Sequence, residues 1–251
     1  MLVLYTDFGW QGPYVGLLKA ALYRYAPTVP VIDLFHDLPP FDVQAAAYLL
    51  AQYALEFPTG TVFVGVVDPG VGSARPGIIL EADGRTYVGP DNGLFDRVAA
   101  RALEIRCRRI IWRSTRLSAT FHGRDLFGPV AAMLAQGTAH PDELGDPHEL
   151  RLKEWPDELA RIVYVDRYGN AMTGIRAAAL EAETRLQIGH HQLVRARTYD
   201  DVPPGEGFWY ENSSGLVEIA VNQGMAALHY SLSPGVPVTL LGPARGIIRP
   251  R

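Results

Sequence analysis

The chain has 251 residues, 48% of them apolar and 20% charged, with a formal net charge of −4. That length builds one large domain or two smaller ones with real cores, and the ordinary composition excludes disorder and fibrous repeats. The acidic balance supplies no global field for polyanions, and the lone Cys107 excludes an intramolecular disulfide or a Cys-cluster metal site.

From Met1 the sequence enters an apolar run at once, with no basic leader, and no apolar stretch has the length of a membrane span. With its single cysteine, the expectation is a cytoplasmic protein with no membrane partner. Residues 2–6 read as a strand, Gly12-Pro13 as a loop, and Val15, Leu18, Leu22 and Tyr25 as one helix face with Pro13 in its first turn. A strand over 29–34 follows. Next comes a helix through Val43, Ala47, Leu50 and Ala54, which breaks at Pro58-Thr59-Gly60, and then a buried strand over 61–67. Further strands are predicted at 77–81, 86–88 and 110–112, with helices near 94–102 and 126–135. Strands alternating with helices predict an α/β domain with a mostly parallel or mixed sheet.

Eight arginines lie between Arg97 and Arg124. No aromatic interleaving or nucleic-acid motif accompanies them, so they read as a solvated or subunit-facing surface and no nucleic-acid partner is expected. After the polar stretch 140–157 the pattern turns to short β-type runs at 162–165, 186–189, 193–197, 216–221 and 236–241. These predict a smaller all-β, barrel-like domain. The expected domains are 1–155 and 156–251, with a ligand site in the crevice between them.

In three places an apolar strand runs straight into acids and glycines: Thr6-Asp7-Phe8-Gly9, Asp68-Pro69-Gly70-Val71-Gly72 and Asp166-Arg167-Tyr168-Gly169-Asn170. The carboxyl ends of α/β strands border the binding crevice, and acids there can hold ribose hydroxyls or an amine. Each Asp alone would serve equally as a turn or helix cap; the three together point to a site. His122, in Thr120-Phe121-His122-Gly123-Arg124-Asp125, titrates near neutrality and could exchange protons with a water, or could be an ordinary loop histidine. The other histidines show no metal-ligand spacing, and neither a phosphate-cradling loop nor a GxSxG elbow is present.

These segments recur in a fixed order with Gly12-Pro13-Tyr14-Val15-Gly16, Pro90-Asp91-Asn92-Gly93-Leu94, Leu126-Phe127-Gly128-Pro129 and Asn212-Ser213-Ser214-Gly215-Leu216-Val217-Glu218-Ile219-Ala220-Val221-Asn222-Gln223-Gly224. Together they resemble the S-adenosylmethionine hydroxide adenosyltransferases, relatives of the fluorinase and chlorinase enzymes. The resemblance implies hydrolysis of S-adenosyl-L-methionine (SAM) to adenosine and methionine, with no cofactor and no metal. It also implies a homotrimer whose sites lie between the N-terminal domain of one subunit and the C-terminal domain of its neighbour.

By motif position, Asp68, Arg75 and His122 would activate the water, Asp7 would bind the ribose hydroxyls, and Asn170 the adenine, with Tyr168 stacked on it. Phe121, Asp166, Ser213, Glu218 and the backbone around Val221 would complete the substrate contacts. If Asp68 and Arg75 touch, the cation is expected to keep the carboxylate ionised. In the related fluorinase a Tyr stands at the place of Asp68, a Ser at that of Gly123 and an Arg at that of Ser214. An acid at 68 disfavours a halide nucleophile, since like charges repel strongly in a partly dry site. A halide-using adenosyl transferase and a non-catalytic adenosine or SAM sensor are the rival readings.

Overall fold

Leu2–Thr6 (β1) is five consecutive buried residues, the pattern of a strand covered on both faces. The computed structural model describes residues 1–242. Residues 243–251, the end of the expected second domain, lie outside the described residues. The chain divides into two units, Met1–Lys153 and Glu154 onward.

In the first unit β1 is followed by Tyr14–Tyr25 (α1), Val31–Phe35 (β2), Val43–Tyr53 (α2), Val62–Val66 (β3), Gly77–Ala82 (β4) and Arg85–Pro90 (β5). Asp96–Arg101 (α3), Ile105–Ile110 (β6), Gly128–Gln136 (α4), Pro141–Leu144 (α5) and Gly145–Pro147 (β7) complete it. The strands form one seven-stranded sheet in the order β2-β1-β3-β5-β4-β6-β7. The first four strands run parallel, and β4, β6 and β7 join antiparallel, so the sheet is mixed.

Alternation along the strands divides the core between two faces. Leu2, Leu4 and Val64 meet Leu18 and Leu22 of α1 and Val130 and Ala131 of α4. On the opposite face, Tyr5 Oη donates to the Ala46 carbonyl of α2 at 2.7 Å. Burying Leu18 and Leu22 completely contributes about 1.5–3 kcal/mol each. Helix α2 starts where the Asp42 carboxylate accepts from the Ala45 N–H at 2.9 Å, an ordinary N-cap.

The second unit contains Leu159–Val165 (β8), Ala171–Arg176 (β9), Arg185–Ile188 (β10), His191–Leu193 (β11), Gly207–Glu211 (β12), Leu216–Val221 (β13), Ala226–His229 (α6) and Thr239–Leu241 (β14). Two antiparallel sheets, β12-β13-β9-β8 and β11-β10-β14, share one core in which Ile162, Ile219 and Trp209 meet Leu186, Ile188 and Leu193. Trp209 Nε1 donates to the Thr184 carbonyl at 3.0 Å, which satisfies its one polar atom.

Several local expectations change. The strand expected at 110–112 ends at Ile110 and begins at Ile105; its Ile-Arg-Cys-Arg-Arg-Ile sequence hides a strand from a search for apolar runs. Strand β11 stops at Leu193 instead of running over 193–197, and β14 covers only Thr239–Leu241 of 236–241. The arginines do not form one solvated face: Arg97 is 6% exposed with its guanidinium 5.2 Å from the Tyr48 ring, and Arg108 bridges Glu81 and Asp142. Among the described residues no helix is long and apolar enough to cross a membrane.

Candidate active site

From β1 the chain passes through α1 to β2 on one side, then through α2 to β3 on the other. Beyond the carboxyl ends of β1 and β3 the two connections diverge, and this topological switch point is where open α/β sheets form their binding crevice. Asp7 follows β1 directly and Asp68 follows β3, so the fold itself brings these two acids to one place.

Asp7, Phe8, Phe41, Asp68, Phe121 and His122 are among the residues lining a cavity of about 100 Å³ there. A larger open groove of about 870 Å³ lies at the amino end of β5, along the turn between β4 and β5 and the start of β6. Three of its charged side chains are engaged in structural bonds. Asp83 caps the Leu103 and Glu104 N–H groups, Arg85 donates to the Phe57 carbonyl, and Glu81 accepts from Arg108. In the small cavity acids, a histidine and aromatic rings converge.

Arg75 Nη2 donates to Asp68 Oδ2 at 2.5 Å, and Nη1 donates to the Pro76 carbonyl at 2.7 Å. The guanidinium also lies 5.6 Å from the centroid of the Phe127 ring. The Asp68 side chain is only 3% exposed. Burial raises its pKa above the ordinary carboxylate value, and the opposing pull of Arg75, the Gly70 N–H and His122 does not cancel that rise. Arg75 favours the ionised carboxylate, as its contact with Asp68 leads one to expect, while burial sets the net direction of the shift.

His122 is pushed down from 6.5, first by burial and then by the Arg75 cation, with Asp68 pulling the other way. Acid and imidazole are thus drawn toward each other in basicity, an arrangement suited to sharing a proton. Asp7 is raised by burial and by the Asp68 charge, while its Oδ2 accepts from the Phe41 N–H at 3.0 Å.

Two loops hold this group together. Gly72 has φ +83°, and a Cβ there would sit 2.5 Å from the Ala119 carbonyl oxygen, so the Asp68 loop and the His122 loop touch backbone to backbone. Asn92 Nδ2 donates to the Val67 carbonyl at 2.8 Å, fixing the residue before Asp68. Phe41 is the lining residue that sequence reasoning missed. It adopts φ +65° while 72% exposed, in a Pro-Pro-Phe-Asp stretch that reads only as the approach to a helix. A bulky residue in the left-handed region costs of order 1–3 kcal/mol and clusters at functional sites.

In the second unit, Asp166, Asn170 and Glu218 belong to one polar network. The Asn170 N–H donates to Asp166 Oδ1 at 2.8 Å, and its side-chain Nδ2 donates to Tyr199 Oη at 3.0 Å. Glu218, 3% exposed, accepts from Tyr210 Oη at 2.7 Å and from Asn212 Nδ2 at 2.8 Å. Tyr199 and Tyr210 carry no sequence signal for this network: Tyr210 lies in strand β12 and Tyr199 in a short 3-10 turn, and a tyrosine in either place marks only local propensity.

Tyr168 is 77% exposed at the tip of the β8–β9 loop. Ser213 is likewise exposed, in the β12–β13 turn. Val221 is 2% exposed and packs into the core of its unit, so only its backbone is available to a ligand. Among the described residues no group of three His, Cys, Asp or Glu side chains is placed to hold a metal ion.

Residues 2–145 match the family model described as the SAM hydroxide adenosyltransferase N-terminal domain, and residues 160–239 the corresponding C-terminal domain. A protein of Salinispora arenicola named (R)-S-adenosyl-L-methionine hydrolase is 42% identical, over 92% of this chain and 93% of its own length. One of the same name from Thermus thermophilus is 40% identical over 94% and 97%. Fluorinases match at lower identity, 24% for that of Nocardia brasiliensis. A solved structure of an uncharacterized conserved protein from Thermotoga maritima superposes with TM-score 0.88 at 32% identity, covering 96% of this chain and all of that one. With both of its units matched in order, the chain belongs to the SAM hydroxide adenosyltransferase family.

Proposed function

We propose that this chain hydrolyses (R)-S-adenosyl-L-methionine to adenosine and L-methionine, by in-line attack of a water oxygen on the ribose C5′. The observation that carries the mechanism is the buried Asp68–Arg75 pair beside His122, on the same cavity as Asp7. The O–C5′ bond forms as the C5′–S bond breaks. The electron pair leaves with sulfur, and the water proton passes to the Asp68–His122 group. A sulfonium already carries its positive charge, so methionine departs as a neutral thioether without a proton from the enzyme. The chemistry therefore calls for no cofactor and no metal. What it needs is a base, worth ~10²–10⁴-fold, and alignment of oxygen, carbon and sulfur, worth more.

Asp7 is assigned to the ribose hydroxyls and Phe121 to the wall beside them. Asn170, Tyr168, Asp166, Ser213, Glu218 and the Val221 backbone are assigned to the remainder of the substrate. The cavity is lined by residues of the first unit alone, while the second set belongs to the second unit. We infer, from the family resemblance, a homotrimer in which a neighbouring copy supplies the second set, a state that light scattering in solution would test. The single cysteine supports a reducing, cytoplasmic setting.

The likeness to fluorinases raises a halide as the alternative nucleophile; the Asp68 carboxylate opposes it by charge. The deciding experiment is turnover of SAM in ¹⁸O-labelled water with and without chloride or fluoride. Label in the adenosine 5′-hydroxyl is the expected result. A 5′-halo-adenosine as main product, or no methionine release at high enzyme concentration, would overturn the reading.

A further inference from the structure

Behind Asp7 lies a chain of polar side chains, buried at its inner end, that the hydrolysis does not itself use. Thr6 and His36 are both fully buried, and Thr6 Oγ1 lies 2.8 Å from His36 Nδ1. His36 Nε2 is 2.8 Å from Asp33 Oδ1, and Lys19 Nζ donates to Asp33 Oδ2 at 2.5 Å.

The directions in this chain follow from what each atom can do. Burial tends to raise the Asp33 pKa, yet His36 and Lys19 together bring it below the ordinary value, so its carboxylate accepts from both. His36 Nε2 therefore donates to Asp33, and Nδ1 is left to bond the Thr6 hydroxyl. Thr6 Oγ1 in turn accepts from the Phe8 N–H at 3.4 Å, and the His36 carbonyl accepts from the Gly9 N–H at 2.5 Å. The two residues after Asp7 are thus held by the Thr6–His36 pair. The Trp10 ring closes over the imidazole edge-on at 4.8 Å.

Apolar side chains would fill the same space without desolvating a hydroxyl, an imidazole and a carboxylate, so what the polar chain adds is a fixed orientation. We propose that Thr6, His36 and Asp33, anchored by Lys19, form a positioning relay that sets the Asp7 loop for the ribose hydroxyls. They tune recognition of the sugar without touching the substrate. The inference rests on the reading of Asp7 as the ribose ligand.

The test uses the full chain. Thr6→Val removes the hydroxyl at constant shape, Thr6→Ser returns it, and Lys19→Met acts from the partly exposed end of the relay. For each variant kcat and KM for SAM are measured, together with the ratio of affinities for adenosine and 2′,3′-dideoxyadenosine. In Thr6→Val that ratio is expected to narrow and KM to rise, each by roughly five- to tenfold, the worth of one oriented hydrogen bond, with kcat little changed. Thr6→Ser is expected to restore both, and Lys19→Met to shift them two- to threefold the same way.

A folded Thr6→Val that keeps the wild-type ratio would overturn the relay, as would equal losses of affinity for both nucleosides. Should Thr6→Val fail to fold, Lys19→Met decides in the same two directions. A wild-type protein that turns over SAM but does not prefer adenosine to the dideoxy analogue would instead refute the Asp7 reading, and the relay with it.

Discussion

Arg75 Nη2 donates to one oxygen of Asp68 at 2.5 Å, while the other, Oδ1, is buried and makes no hydrogen bond within the protein. A buried acceptor left unsatisfied costs about 1–3 kcal/mol, a cost a native site carries when the atom has a partner in the working complex. An attacking water is such a partner: it can donate to Oδ1 while Arg75 holds Oδ2 still. Asp68→Asn keeps the shape and removes the basicity. We expect kcat to fall on the order of 10²–10⁴-fold with KM within a few-fold, followed by methionine release. A raised KM at unchanged kcat would move Asp68 from catalysis to binding.

The pH profile carries a sign that can be worked out beforehand. His122 titrates below 6.5 because of burial and then Arg75, and Asp68 titrates above 3.8 because of burial. His122 is a free base at neutral pH, so kcat/KM should be flat there and fall as pH drops through its depressed pKa. Arg75 lowers both pKa values, so Arg75→Met should shift the acid limb to higher pH. The same depression makes the unfolded chain bind the His122 proton first. That part of the stability is present above 6.5 and lost as pH falls through the folded value. An acid limb in Arg75→Met that stays put or moves down would contradict the assignment.

Why the two acids were legible in the sequence and Phe41 was not has a physical reason. A strand covered on both faces must be a continuous apolar run, so β1 and β3 announce themselves, and the first polar residue after each is where the crevice begins. Phe41 enters through a backbone conformation, φ +65°, which its side chain does not encode. Strand β6 carries Arg-Cys-Arg-Arg between two isoleucines and is seated by pairing with β4 and β7, a tertiary fact. Strand β9 is Ala-Met-Thr-Gly-Ile-Arg, short of β-branched residues, and takes its place from β8 and β13 on either side. The roles of Asp166, Asn170 and Glu218 came from a family resemblance. Their coupling through Tyr199 and Tyr210 depends on side chains that meet only after folding.

Gly72 joins the Asp68 loop to the His122 loop and offers a test of their contact. A methyl group at this position meets the Ala119 carbonyl at 2.5 Å in a backbone region, φ +83°, that L side chains avoid. Gly72→Ala should cost about 1–3 kcal/mol of stability and, by separating Asp68 from His122, lower kcat more than it raises KM. Thermal unfolding and steady-state kinetics on one preparation check both halves. A variant with normal stability and rate would show the loops to be independent.

At Phe41 stability and function should move in opposite directions. The residue holds a left-handed conformation with 72% of its surface exposed, so glycine relieves strain and sacrifices little burial. After glycine's extra unfolded-state entropy is subtracted, Phe41→Gly should be roughly 0.5–1 kcal/mol more stable. It also deletes a wall of the cavity, so KM for SAM should rise. A rise in melting temperature together with weaker binding supports the strain as a feature kept for the site; a fall in melting temperature would mean the ring is a packing element.

The second unit makes a prediction through Glu218, a carboxyl 3% exposed that burial raises above its ordinary value against the donors Asn212 and Tyr210. A raised folded pKa means that the group's favourable contribution is complete below about 4.5 and is lost as pH rises through the folded value. The Tyr210 hydroxyl, 2.7 Å away, limits that loss by donating to the ionised form. Tyr210→Phe removes the donor without changing the ring. It should destabilise the chain by about 1–3 kcal/mol at neutral pH, and by progressively less as Glu218 takes up its proton in acid. Urea unfolding at pH 7 and again near pH 4 measures the difference. A cost that is the same at both values would place the Tyr210 contribution in ring packing, whereas a cost confined to neutral pH identifies the hydroxyl as what keeps a buried carboxylate tolerable beside Asn170.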